Sequence, residues 1–200
     1  MQFKTRGRSF TGIRQVGASV AAFSCMMLIF AGCAGAQGKK DFSESVGFLG
    51  KEQSLGESYA VILKEFGKEN MENYANGIVL YANAKAEYDG LIAQLKYDLK
   101  AAHAVDSSSK FESKLKTAAD RRVAFTSFVT EKVIRNDPNR KNPAIIAGIA
   151  TVPELVDALI KVGKSIWEEY RRVNDAQKKA IMDQLDGLRW KSFQDTGKGN

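Results

Sequence analysis

The feature that most constrains this chain is a run of residues spaced alternately three and four apart: Met71, Tyr74, Ile78, Tyr81, Lys85, Tyr88, Ile92, Leu95, Leu99 and Ala102. That spacing lines one face of a helix, whereas a strand turns its apolar side every second residue. Lys85 is the single polar member of the seam. The run predicts a rod on the order of 50 Å, which only other long helices can cover.

Those other helices are legible on either side. Leu55, Tyr59, Ile62, Leu63 and Phe66 share a face whose phase does not continue into the seam, and Gly67 at the slip predicts a break. Ser109 with Glu112 has the form of a capping box. Phe111, Leu115, Ala118, Arg122, Phe125, Val129 and Val133 follow it, and Asn136-Asp137-Pro138 ends the run, so a third helix is expected over about 109–135. Thr151 and Glu154 repeat the capping pattern before Leu155, Leu159, Val162, Ile166, Trp167, Tyr170 and Val173. Asn174 or Asp175 can cap a last helix carrying Ala176, Ala180, Ile181, Leu185 and Leu188. The apolar decapeptide 143–152 is too short to span a bilayer and reads as a buried connector. The expected fold class is all-α, an antiparallel bundle of four to five amphipathic helices.

Residues 1–36 follow a different logic. Lys4, Arg6, Arg8 and Arg14 precede an uncharged stretch from Val16 to Gly32, and small residues then lead to Cys33, the order of an export signal. Phe30-Ala31-Gly32-Cys33 resembles the lipobox of bacterial lipoproteins, with Phe30 where leucine is usual. The resemblance implies that Cys33 is acylated and becomes the new N-terminus. It also implies anchoring by lipid, and because Ala34 is not aspartate, it favours the outer membrane facing the periplasm. Two other outcomes are open to the same residues. Ala34-Gly35-Ala36 fits ordinary secretory cleavage, and Val16 to Ala36 is just long enough to stay as an uncleaved anchor. The expected organisation is an export signal over 1–32, a tether over 33–41 and a single helical domain over 42–200.

Composition enters through that division. Of the chain's two cysteines, Cys25 leaves with the signal and Cys33 is the lipidation site, so the domain must hold by packing and not by disulfides. Four of the 30 basic residues and none of the 23 acidic ones precede Cys33, so the formal charge falls from +7 to +3 beyond it. That mixed, weak balance argues against nucleic-acid binding.

Motifs for chemistry are sparse. Ala158 to Ser165 satisfies a loosened phosphate-loop pattern through Gly163-Lys164-Ser165, but it falls inside the fourth helical run. There the backbone N–H groups that would cradle a phosphate are committed to the helix. His103 is the only histidine, which excludes a histidine-rich metal site. Glu168 with Glu169 and Asp183 with Asp186 are carboxylate pairs on helical faces, and Ser107 to Ser109 suit capping. No catalytic residue, metal site or cofactor is expected. Tyr74, Tyr81 and Tyr88 recur every seven residues and, with Trp190, are either core or a partner-contact ridge. The spacing favours core, and Trp190 with Phe193 favours a clasp on the bundle. The reading is a non-catalytic, lipid-anchored binding or scaffold protein with an envelope protein as its partner. An immunity-type inhibitor and an enzyme with an unrecognised site are the alternatives.

Overall fold

The computed structural model describes residues 36–66, 71–101, 109–135 and 151–198. Five helices account for most of them: α1 (Ala36–Phe66), α2 (Met71–Lys100), α3 (Ser109–Val129), α4 (Val152–Arg172) and α5 (Asp175–Gly187), with no strand among the described residues. The signal segment with Cys33, together with His103, Ser107, Ser108, the cap side chains of Ser109 and Glu112, and residues 143–150, lies outside the described set.

Side-chain contacts fix the helix directions. Gly77, early in α2, faces Leu63, late in α1, while the Tyr88 hydroxyl donates to the Leu49 carbonyl at 3.2 Å, so α1 and α2 run antiparallel. Arg122 of α3 reaches Glu52, and Phe125 lies edge-on to Tyr59, both in the same order along the chain as on α1, so α3 parallels α1. The end of α4 meets the start of α1, where Arg172 lies against Gly38. Helices α1 to α4 thus form an antiparallel bundle in which each packs on its neighbours in sequence and α4 closes against α1.

The interior is a single apolar cluster contributed by all five helices, including Leu49, Tyr59, Leu63, Tyr81, Leu95, Leu115, Phe125, Ile166, Ile181 and Leu185. Fully burying one such side chain contributes about 1.5–3 kcal/mol, which is what fixes the helices without a covalent bridge. Termini are capped as the sequence suggests. Glu154 accepts the Thr151 backbone N–H at 2.9 Å, which holds its carboxyl below the usual range. Asn174 and Gln177 satisfy each other's backbone N–H groups at 3.0 and 3.2 Å.

Four expectations need correction. The segment read as a tether is helical from Ala36 onward, so α1 is 31 residues long and adds Phe42, Val46 and Leu49 to the core. In the seam, Ala84 and not Lys85 points inward. Lys85 pairs with Asp89 at the margin, and the buried series reads Gly77, Tyr81, Ala84, Tyr88, Leu91, Ile92, Leu95, Asp98 and Leu99. Met71, counted with the seam, is exposed. Ala176 and Ala180 also face out, while Ile181, Leu185 and Leu188 are buried as expected and Met182 joins them. At Ala84 the inward position moves by one residue, because burial follows the packing of the neighbouring helices.

The third helix ends as a π-turn over Thr130–Ile134, closed by the Arg135 N–H on the Thr130 carbonyl at 2.9 Å. The extra residue in that turn lets the consecutive Val133 and Ile134 both enter the core.

Candidate functional site

The heptad tyrosines converge on the C-terminal segment that follows α5. Tyr81 and Tyr88 are 1% and 4% exposed, and Trp190, 2% exposed, lies with its ring centroid 5.5 Å from Tyr81 and 5.6 Å from Tyr88. Phe193 adds contacts to Tyr74 and Tyr81 at 6.0 and 5.4 Å. Polar groups tie the same segment down. Tyr81 donates its hydroxyl proton to the Lys191 carbonyl at 2.9 Å, Asp89 accepts the backbone N–H of Trp190 at 3.1 Å, and Gln53 donates to the Arg189 carbonyl at 2.8 Å. Lys64 donates to the Thr196 carbonyl at 2.6 Å.

Residues 188–196 are therefore a strap across the α1–α2 groove. Of the two readings of Tyr81, Tyr88 and Trp190, core and partner-contact ridge, the geometry has these rings buried against one another in the core. Tyr74, half-buried against Phe193, belongs to the same cluster. Desolvation raises the hydroxyl pKa of Tyr81, with Glu57 and Asp89 adding to the shift, and desolvation does the same for Tyr88, with Glu52 and Asp89 nearby.

A buried ion pair crosses the core beside this cluster. Arg122 donates through Nε to Glu52 Oε2 at 2.8 Å and through Nη2 to Oε1 at 3.2 Å. The two residues sit on α3 and α1, so the pair fixes the register between parallel helices. The sequence placed Arg122 on the apolar face of α3 but offered no signal for its partner, because Glu52 lies in a glycine- and serine-rich stretch with weak periodicity.

The phosphate-loop lookalike is ordinary helix. Val162 and Gly163 are buried in α4 and Lys164 is exposed, with no loop around them to cradle a phosphate.

A polar cleft lies between the start of α1 and the end of α4. Gly38, Asp41, Ser165, Glu168, Glu169 and Arg172 line a cavity of about 150 Å³. Adjacent Glu168 and Glu169 point apart, as neighbours on a helix must. Glu168 is exposed and lies 3.8 Å from Arg172, whereas Glu169 is 4% exposed. Neither Glu169 Oε2 nor Ser165 Oγ, one turn earlier, has a hydrogen-bond partner. The sequence showed the two acids but not the cleft, because Gly38 and Asp41 both fell in the supposed tether. Among the described residues, no three His, Cys, Asp or Glu side chains converge as a metal ion requires.

The outward face of α2 is the other notable surface. Ala75, Val79, Ala82, Ala86, Ala93 and Tyr97 recur at helical spacing on it, with Val79 59% and Tyr97 61% exposed. None of the described helices is long and apolar enough to cross a membrane.

Comparison with known proteins gives no relative: no family model matches the chain, and no curated protein or solved structure is similar to it.

Proposed function

We propose that the protein is a lipid-anchored helical binding or scaffold module of the cell envelope, held through Cys33 and acting by contact and not by turnover. The observation that carries this reading is the order basic segment, apolar segment, FAGC, followed three residues later by the first helix of a self-contained bundle. Two fatty chains at a mature N-terminus give stable membrane attachment, where one gives only marginal binding. The uncharged outward strip of α2 supports the binding half of the proposal, since the bundle's own core makes no use of it.

Palmitate labelling of the protein in its native envelope tests the anchor. Wild type takes up label and fractionates with membranes, and Cys33→Ser does neither. Label retained by that variant rules the anchor out. A photo-crosslinking residue in place of Ala86 tests the contact surface against the same residue in place of Lys179 on α5, which is also exposed. Adducts from position 86 alone support binding through α2, and equal yields from both positions remove it.

A further inference from the structure

The cleft between α1 and α4 contains a group that the fold leaves unsatisfied. Glu169 is almost wholly buried, yet its Oε2 has no hydrogen bond, and Ser165 Oγ beside it is in the same condition. A buried carboxylate without a partner is costly, and buried polar atoms in native proteins are nearly always bonded to protein, water or ligand. Glu169 and Ser165 share the lining of the cleft with Gly38, Asp41, Glu168 and Arg172. Arg172 is itself drawn to Glu168 at the rim and forms no ion pair with Glu169.

We infer that this cleft is a binding site for a small primary ammonium group. The chemistry selects that class in three ways. A divalent metal is disfavoured because the acidic groups do not converge on one point. A quaternary ammonium brings no donor for Glu169 Oε2 or Ser165 Oγ. A primary ammonium brings three N–H donors on one compact charge, which can serve the Glu169 carboxylate, the Ser165 hydroxyl and one further acceptor at the mouth. The volume of about 150 Å³ is that of a cavity able to hold a benzene-sized ligand, so a short alkyl stem fits behind the nitrogen. The same chemistry is offered by a free alkylamine and by the end of a lysine side chain. The inference does not depend on lipidation at Cys33, and its failure leaves the anchor unaffected.

The test uses the full-length protein in detergent micelles, titrated with n-propylammonium chloride against a matched sodium chloride series and followed by amide chemical shifts. Saturable shifts centred on Gly38, Ser165 and Glu169 are expected, with n-propanol and tetramethylammonium giving none. Glu169→Gln, which keeps the shape and removes the charge, should weaken binding at least tenfold, and Ser165→Ala should weaken it by a smaller factor. Should Glu169→Gln fail to fold, Ser165→Ala carries the test. A second titration with Nα-acetyl-lysine amide separates the sources: binding of the lysine derivative alone assigns the site to a polypeptide partner, and binding of propylammonium alone assigns it to a free amine. Shifts that do not saturate with either amine, equal shifts with n-propanol, or unchanged affinity in the substituted proteins overturn the inference and leave a hydrated cleft.

Discussion

The indole ring of Trp190 occupies the space that any side chain at position 56 would need. A Cβ built on Gly56 would stand 2.5 to 2.7 Å from three atoms of that ring, and real Cβ atoms essentially never come so close. Glycine at this position in α1 is what lets the C-terminal strap seat. Overpacking a core site costs about 1–3 kcal/mol, offset by the roughly 1 kcal/mol that alanine gains over glycine in a helix. Gly56→Ala should therefore destabilise the wild type by up to about 2 kcal/mol and shift the tryptophan emission. In a Trp190→Ala background the same substitution should become neutral or stabilising. Thermal melts of the four proteins read this reversal of sign, and its absence would remove the steric account.

Removing one partner of the Glu52–Arg122 pair strands the other charge inside the bundle. Glu52→Gln is expected to cost about 3–5 kcal/mol by analogy with other broken buried pairs. Replacing both, as Glu52→Leu with Arg122→Met, should recover most of that loss, since two apolar side chains of similar length need no desolvation. Urea denaturation of the single and double variants measures the difference.

Alkaline stability follows from the two buried tyrosines. Burial raises the hydroxyl pKa of Tyr81 and Tyr88 above the ordinary value near 10, so the folded state keeps protons that the unfolded chain gives up. Their contribution to stability is complete below about pH 10 and is lost as pH rises from there towards the raised folded values. Unfolding should set in above that point, with tyrosinate absorbance and loss of helical dichroism appearing together. Tyr88→Phe should reduce the slope of that limb. Tyr81→Ala should lower stability at neutral pH by roughly 3–5 kcal/mol, as other core aromatic truncations do.

Lys164 lies on the solvent side of α4, so Lys164→Ala should change stability by no more than about 0.5 kcal/mol. Equilibrium dialysis with ATP should find no saturable binding in either protein. A wild-type site that vanishes in the variant would reopen the phosphate-loop reading.

How far the sequence reached depended on how strongly each helix declares its period. The faces of α3 and α4 were legible because Leu115, Ala118, Phe125 and Val129, and likewise Leu155, Leu159, Val162 and Ile166, hold the apolar period despite buried Arg122 and Glu169, and the cap of α4 stands at its expected place. The first half of α1 was not legible. Gly47, Gly50, Ser43, Ser45 and Ser54 weaken both helical propensity and hydrophobic contrast, and Phe42, Val46 and Leu49 are buried only because α4 and the C-terminal segment lie there to cover them. The cleft was hidden for the same reason, since one of its walls is that unrecognised half-helix. Lys85 and Ala84 illustrate a finer limit. Both fit a three-four spacing, and only the packing of α2 decides which faces inward.

The strap ties the bundle together across long stretches of chain. The bonds between it and α1 join residues 130 to 136 positions apart, Lys191 to Glu57 among them. With residues 188–196 lifted away, Tyr81, Tyr88 and the face of Gly56 would be left as an open aromatic slot. A molecule in that state would show its rings to any chaperone or protease that recognises them. The strap thus acts as a seal, and its seating separates the closed bundle from one open to quality control.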